Sequence, residues 1–469
     1  DAAAHNAHFR VMKGVPMRKM LIAIFAVSVL LVPAASARSP QSSAPAATAP
    51  AAHQTETDEY TRYELLAPDT ASFKIYYEVT ATTAGAKFFY NPIRKGSVAS
   101  DEAVYDAMTG APLHFEVVSG AAASQDPLME RADASTDFIK VQLARPVPPD
   151  GQGRMIIIKT YKDGMSYYRD GDEIVFHRPL GIKRNKVVLP AGYELVSCNV
   201  PSQVLTEPDG RISISFMNGS AGEAPLIVRA KLGAQTGDAA RPHALTSARS
   251  WEAPFQGESE RGRLSERAHQ DRDIVYFLQQ PETHSFSLYH DYTESHPGAD
   301  KYLNVVREGS TVSNPSAYIL DTGETLQSRI MTGADLAAAH IDAEGEQVTP
   351  TTQVVVIPFT PVKKGQSIRL RISETYTAPV SYRLDGDELI FDRSFGRPRN
   401  AVVLPAGWYL TASAIPATVT QMPDGRIRLD FWNGRPDEVD VLIRAKRLAT
   451  SSTAAQPFSN QPLVMPAAH

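Results

Sequence analysis

Short runs of β-forming residues, several of them alternating between apolar and polar positions, recur along most of the chain. Residues 367–372 alternate with the period of two that places every second side chain on one face of a strand, and residues 72–79 do so in part. Pro-Asp-Gly at 208–210 and 423–425 precedes an alternating run and predicts a hairpin. The clearest helical segment inside these runs, 333–340, is long enough for only two turns. Short strands separated by frequent turns predict an all-β protein built from β-sandwich (Ig-like) domains.

The whole pattern occurs twice. Tyr63, Phe73 and neighbouring residues recur 213 positions later, and the later segment containing Leu189-Pro190-Ala191-Gly192 recurs at a spacing of 215. A register held over so many positions indicates a tandem duplication. The change of spacing places an insertion in the middle of the unit, which fits a surface loop around 120–136 and 331–350.

The duplication and the composition of the flanking segments divide the chain into six parts. These are a signal peptide at 17–37, a flexible leader at 38–58, a first β-sandwich at 59–232, a linker at 233–271, a second β-sandwich at 272–448 and a flexible tail at 449–469. The leader is rich in Ala, Pro, Ser, Thr and Gln, a composition typical of unstructured segments. The linker is polar, with a possible short helix at 258–271.

Residues 17–37 predict export. Arg18 and Lys19 precede the apolar run 21–32, which is followed by Ala35-Ser36-Ala37. A basic segment, a short apolar segment and a small-residue site are typical of a secretory signal peptide. The apolar run is too short for a membrane anchor, since about 20 residues are needed to span a bilayer. We therefore expect a periplasmic or secreted protein with no integral membrane span after cleavage.

Length, charge and cysteine content narrow the picture further. A chain of 469 residues exceeds one ordinary domain, and a net charge of −5 gives no reason to expect a nucleic-acid partner. The single cysteine, Cys198, cannot form an internal disulfide, so stability must come from packed cores. The second copy has Ser413 at the matching position. Both residues are better interpreted as small residues on a strand than as nucleophiles.

The order of strands carries a resemblance to a known family. Residues 72–79, a turn at Thr109-Gly110, and runs at 141–146 and 156–161 follow one another, and the second copy repeats this order. Over about its first hundred residues each copy resembles the N-terminal β-sandwich of gluzincin aminopeptidases. The family's zinc motif, His-Glu-x-x-His, does not occur in the sequence. The resemblance therefore implies a sandwich that supports or recruits another component, and it implies no catalytic residue or cofactor.

Two groups of residues have side chains of the kinds found in catalytic or metal sites. His284, His290 and His296 would share one face of a continuous strand, but Pro297-Gly298 ends that strand, so surface histidines are favoured over a metal site. The carboxylate pair 172–173 and its counterpart 387–388 lie in turns, and neighbours on a strand point to opposite faces. Neither group predicts a metal, a cofactor or a catalytic pair.

A set of polar and aromatic residues is the best candidate for ligand binding. It consists of Asn91, Arg94 and Arg178, their counterparts Asn304, Arg307 and Arg393, and Trp408 and Trp432 of the second copy. The planar donor fork of arginine suits carboxylates and sugars, and exposed tryptophan stacks on sugar rings. The alternative is structural, with the arginines paired internally, the asparagines fixing loops and the tryptophans filling cores.

The sequence thus favours an exported, non-catalytic binding or interaction protein of the cell envelope. Its partner would be an envelope glycan, a peptide or another exported protein. Two alternatives stay open. One is a secreted hydrolase with a site between the copies, using His177 or the segment 284–296, and the other is a structural component of the envelope.

Overall fold

The computed structural model describes residues 53–220, 222–233, 266–343, 348–435 and 438–448. The predicted signal peptide, the tail at 449–469 and most of the leader and linker lie outside the described residues. Strand β1 begins at Glu56, inside the predicted leader.

The first copy contains fourteen strands. They are β1 Glu56–Leu65, β2 Ser72–Ala81, β3 Phe88–Pro92, β4 Val98–Asp106, β5 Phe115–Ser119, β6 Asp137–Gln142, β7 Gly153–Lys162, β8 Tyr167–Asp170, β9 Glu173–Leu180, β10 Arg184–Val188, β11 Tyr193–Cys198, β12 Gln203–Thr206, β13 Ile212–Met217 and β14 Ala224–Leu232. A short helix, α1 Gly120–Ala123, and two 3-10 turns, Pro68–Thr70 and Pro127–Met129, complete it.

The second copy repeats this order with one added short strand. Its strands are β15 Asp273–Leu278, β16 Ser285–Glu294, β17 Lys301–Val305, β18 Thr311–Ile319, β19 Thr325–Leu326, β20 Arg329–Thr332, β21 Gln353–Pro358, β22 Ile368–Thr377, β23 Tyr382–Asp385, β24 Glu388–Phe395, β25 Arg399–Val403, β26 Trp408–Ser413, β27 Thr418–Gln421, β28 Ile427–Trp432 and β29 Val439–Arg447. Helix α2, Gly333–Ala338, lies in the predicted helical segment, and a 3-10 turn spans Pro281–Thr283.

Each copy is built from one large sheet and two small ones. The large sheet of the first copy has the order β12-β13-β10-β1-β2-β7-β4, and its small sheets are β11-β14-β9-β8 and β3-β6-β5. The second copy has the same sheets, with β19 added to the large one. In each large sheet one pair, β1 with β10 and β15 with β25, is parallel. The predicted all-β class, with a β-sandwich in each copy, is confirmed.

Alternation along the strands places one apolar core between the sheets of each copy. In the first copy Tyr63, Ile75 and Val187 lie side by side in register and are buried in that core. The predicted Pro-Asp-Gly hairpins join β12 to β13 and β27 to β28. Gly210 and Gly425 each have a φ of +83° there, a conformation that favours glycine.

The two copies lie in one compact unit and are joined by buried polar contacts. Arg154 of the first copy donates two hydrogen bonds, of 2.6 and 2.9 Å, to the carboxylate of Asp321 of the second, which is fully buried. The backbone N–H of Gln152 donates to the carbonyl of Leu320 at 2.8 Å. Direct bonding of this kind fixes one copy against the other.

The end of the linker is held on the large sheet of the first copy by a buried charge network. Glu266 accepts bonds from Lys186 at 2.6 Å and from the Tyr60 hydroxyl at 2.9 Å. Lys186 also contacts Glu207, which pairs with Arg62. The described part of the predicted linker helix, 266–271, contains a turn rather than a helix. Within the described residues there is no helix long and apolar enough to cross a membrane.

Candidate functional site

The shared asparagines lie at equivalent places between the sheets, where the two copies carry opposite charges. In the first copy Lys159 donates to the side-chain oxygen of Asn91 at 2.5 Å. In the second, the amide nitrogen of Asn304 donates to the carboxylate of Glu374 at 2.7 Å. An amide offers both a donor and an acceptor, so the same residue type serves either partner. This accounts structurally for the presence of asparagine in both copies.

Among the described residues neither Lys159 nor Glu374 forms an ion pair, and burial shifts both groups toward neutrality. Burial lowers the pKa of Lys159 to about 7, and the nearby positive charge of Arg178 adds to this effect. Burial raises the pKa of Glu374 to about 7, against the opposing effect of its hydrogen bonds with Asn304 and Tyr376. Each copy therefore holds in its core a titratable group that is only partly charged near neutral pH.

The shared arginines Arg178 and Arg393 stack on aromatic rings of the core. The rings are Tyr63, Phe73 and Tyr161 in the first copy and Tyr276, Phe286 and Tyr376 in the second. Arg178 also donates to Asp163 at 3.1 Å. The second copy has Ala378 at the position of Asp163, and no ion pair joins Arg393 to a carboxylate among the residues the structure describes.

Arg94 and Arg307 lie at the rim of the same regions. The backbone N–H of Arg94 donates to the Tyr161 hydroxyl at 3.3 Å, and its side chain donates to the carbonyl of Pro179 at 3.2 Å. Arg307 donates to the hydroxyl of Ser394 at 3.1 Å. The structure thus gathers Asn91, Arg94 and Arg178 around one polar core region, with internal partners for each.

The two tryptophans occupy different places. Trp408 is buried, donates through its ring nitrogen to Gln280 at 3.0 Å, and lies under the guanidinium of Arg447 at 4.6 Å. Trp432 is half-buried beside Gly219 of the first copy. Its ring nitrogen has no hydrogen-bond partner among the described residues.

His284, His290 and His296 of the second copy do not form a metal site. His284 contacts the carbonyl of Tyr382 at 3.1 Å, and His296 contacts Glu294 at 2.7 Å. The expectation of surface histidines is wrong for His290, which is 5% exposed because β16 continues past it into the core. No group of three metal-binding side chains occurs in the described parts of the chain.

His290 belongs instead to a cluster of cationic and aromatic side chains. We call it the cationic cluster, and it consists of Arg272, His290, Tyr292, Tyr302 and Arg397. The Tyr302 hydroxyl lies 3.1 Å from Nδ1 of His290, and the guanidinium of Arg272 lies 4.4 Å from the centre of the Tyr292 ring. The ring of Tyr292 is centred 5.2 Å from that of Tyr302 and 6.0 Å from that of His290.

The charges of the cluster act on its buried histidine. Burial lowers the pKa of His290 well below its usual range, and the positive charges of Arg397, Arg272 and Arg369 lower it further. Burial raises the pKa of Tyr302, while Arg397, which hydrogen-bonds with that hydroxyl, opposes the rise. His290 is therefore neutral at physiological pH.

The cluster includes one polar atom without a hydrogen bond and two cations without a carboxylate partner among the described residues. Nε2 of His290 is buried without a hydrogen bond among the described residues. Within the same residues no ion pair joins Arg272 or Arg397 to a carboxylate, whereas Arg369 contacts Asp271 at 3.2 Å. The cluster therefore combines two half-buried guanidinium groups with a neutral imidazole, and it holds no counter-ion for either cation.

The cluster belongs to the second copy alone. The equivalent residues of the first copy are Glu59, Tyr77, Val79, Phe89 and Ile182. Residues that the two copies share give no indication of it. The signal that could have found the cluster is a difference between the copies. An acidic and an apolar residue of the first copy are both replaced by arginine in the second.

No protein-family model matches the chain, and no curated protein matches it. Among solved structures, an M1 zinc metallopeptidase from Deinococcus radiodurans is 12% identical, with a TM-score of 0.27 over 38% of this chain and 42% of that one. An aminopeptidase N family protein from Idiomarina loihiensis is 13% identical, with a TM-score of 0.22 over 37% and 29% of the two chains. A protein from Legionella pneumophila described as nutrient binding is 9% identical, with a TM-score of 0.24 over 38% and 67%.

The chain thus spans less than half the length of the metallopeptidases that it matches. The weak resemblance to aminopeptidases stated from the sequence is confirmed as a partial similarity of structure.

Proposed function

We propose that this protein is an exported binding protein of the cell envelope that holds its ligand in the second copy. The observation that carries the proposal is the cationic cluster. In the described part of the chain its two guanidinium groups have no carboxylate partner, and they lie near a buried histidine whose Nε2 has no hydrogen bond. Export rests on the signal-like segment 17–37.

The cluster contrasts with three buried arginines of the first copy. Arg62, Arg154 and Arg178 each lie within 3.1 Å of a carboxylate oxygen. Removing a cation from water without a counter-ion is costly, and an unpaired buried polar atom adds to that cost. A bound ligand that supplies the missing partners would offset both costs.

The ligand would come from the compartment to which export delivers the protein. We expect an envelope glycan, a peptide or a segment of another exported protein. The acceptor groups of such a partner would meet the donors of the cluster, and the rings of Tyr292 and Tyr302 would contact its apolar part.

A thermal-shift screen of the full chain against envelope glycans, short peptides and metal ions tests the proposal. A binding protein gains melting temperature in the presence of its ligand. The gain should disappear in Arg397→Gln and persist in Arg169→Gln, a matched loss of an exposed arginine in the first copy. A gain that survives Arg397→Gln would place binding elsewhere. No gain with any compound would favour a structural role.

A further inference from the structure

We infer that the cationic cluster binds an anionic oxygen group of the ligand, a carboxylate or a phosphate. The inference rests on the proposed function and specifies the chemistry of the same site. It follows from the direction of the hydrogen bonds inside the cluster, which leaves donors and no acceptor.

The hydrogen bonds run in one direction from Arg397 to His290. A guanidinium can only donate, so in its bond with Tyr302 the hydroxyl oxygen accepts. The single hydroxyl proton of Tyr302 is then available to Nδ1 of His290, 3.1 Å away. A neutral imidazole that accepts at Nδ1 carries its own proton on Nε2. That N–H is the buried group without a partner.

Arg272 supplies further donors to the cluster. Its guanidinium stacks on the ring of Tyr292, which fixes its plane and leaves the N–H groups at its edge free to bond. Arg272, Arg397 and Nε2 of His290 together present donors only. An anion with two or more oxygens complements such a set, because a charge-assisted bond to a guanidinium is stronger than a neutral one.

Glu294 and Glu374, two carboxylates beside the tyrosines of the cluster, do not serve as this acceptor. Glu294 accepts from the Tyr292 hydroxyl at 2.5 Å and from the backbone N–H groups of Ser295 and His296. Glu374 accepts from Asn304 through Oε2 at 2.7 Å, and its Oε1 has no hydrogen-bond partner among the described residues. Neither forms an ion pair with Arg272 or Arg397 in the described part of the chain.

Titration calorimetry of the full chain with paired probes tests the inference. The carboxylate arm compares N-acetyl-alanyl-alanine with its C-terminal amide, and the phosphate arm compares glucose 1-phosphate with glucose. Chitin oligosaccharides represent neutral glycans. We expect the charged member of at least one pair to bind, with an affinity that falls as salt is added.

Variants identify the site. Arg397→Gln and Arg272→Gln should each lower the affinity for the anion by about tenfold or more, since each removes a charge-assisted bond. Arg169→Gln should leave the affinity unchanged. If a variant unfolds, the parent protein still gives an answer through the NMR signals of the His290 ring, identified by their loss in His290→Phe, which should shift when the anion is added.

The outcomes separate the inference from the proposed function. Binding of the amide or of a neutral glycan as tightly as the anion, with loss in Arg397→Gln, would overturn the inference and leave the binding function standing. Anion binding that is unchanged in both arginine variants would also overturn it. The absence of binding by every probe, charged or neutral, would count against both.

Discussion

Glu374 offers a direct test of the energetics of the core. Its carboxyl group is 2% exposed and accepts a hydrogen bond from Asn304. Burial raises its pKa from the ordinary value of 4.5 to about 7. We predict that Glu374→Gln, which keeps the size of the side chain and can still accept from Asn304, stabilises the protein at neutral and alkaline pH.

The magnitude follows from the difference between the two pKa values. At 1.36 kcal/mol for each pH unit, the difference corresponds to about 3 kcal/mol, as an order of magnitude. Because the folded state binds the proton more tightly, the contribution of Glu374 is most favourable below about pH 4.5. It is lost as pH rises to about 7. Glu374→Gln should therefore match the parent near pH 4 and exceed it by about 3 kcal/mol near pH 8.

Urea unfolding at a series of pH values measures this difference. The transition midpoint reports the free energy of unfolding when the dependence of that free energy on urea concentration is unchanged. Glu308→Gln, which removes an exposed carboxylate from the same copy, is the control and should show no such trend. The reasoning is refuted if Glu374→Gln is less stable than the parent near pH 8. A stability difference that does not vary with pH would refute it equally.

Three further predictions concern other sites. Lys159→Met should also stabilise the protein at neutral pH, because burial lowers the pKa of Lys159 to about 7. The gain in unfolding free energy over the parent should shrink as pH rises from about 7 to above 10.5, and the same urea series measures it. Arg154→Met should cost about 3–5 kcal/mol by leaving Asp321 buried without its partner, and calorimetric melting should show recovery when Asp321→Leu is added. Gly333→Ala should lower the melting temperature, because a Cβ there would lie 2.1 Å from the carbonyl oxygen of Thr349, with a cost of about 1–3 kcal/mol for the displaced backbone.

The architecture was accessible from the sequence because its signals are local. Alternation identified strands such as β2, and Pro-Asp-Gly identified the hairpin before β13, since both features depend on neighbouring residues. The duplication then extended each assignment to the other copy. The division of each copy into three sheets was not predicted, because strand order depends on pairings between distant segments such as β1 and β10.

The environment of the shared polar residues could not be predicted from neighbouring residues in the sequence. Asn91 meets Lys159 across 68 residues of sequence, and Asn304 meets Glu374 across 70. The sequence left binding and internal structure open for these positions. The structure gives internal partners to Asn91, Asn304 and Arg178, and their part in ligand binding stays a prediction.

The two copies have diverged in where they place charge. The first copy carries Arg62, Glu64 and Lys186 on the outer face of its large sheet, and these side chains form part of the network that holds Glu266 of the linker. At the same three positions the second copy has Val275, Phe277 and Ala401, of which Val275 and Ala401 pack in an apolar cluster.

The second copy instead places two arginines, which have no carboxylate partner among the described residues, at positions where the first has Glu59 and Ile182. A charge that is matched within the chain contributes to assembly, and a charge that is left unmatched is available to a partner. The first copy therefore serves to fix the linker and the domain arrangement. Under the proposed function the second retains the cationic cluster for a ligand, and residues that differ between the copies are then better indicators of function than residues that they share.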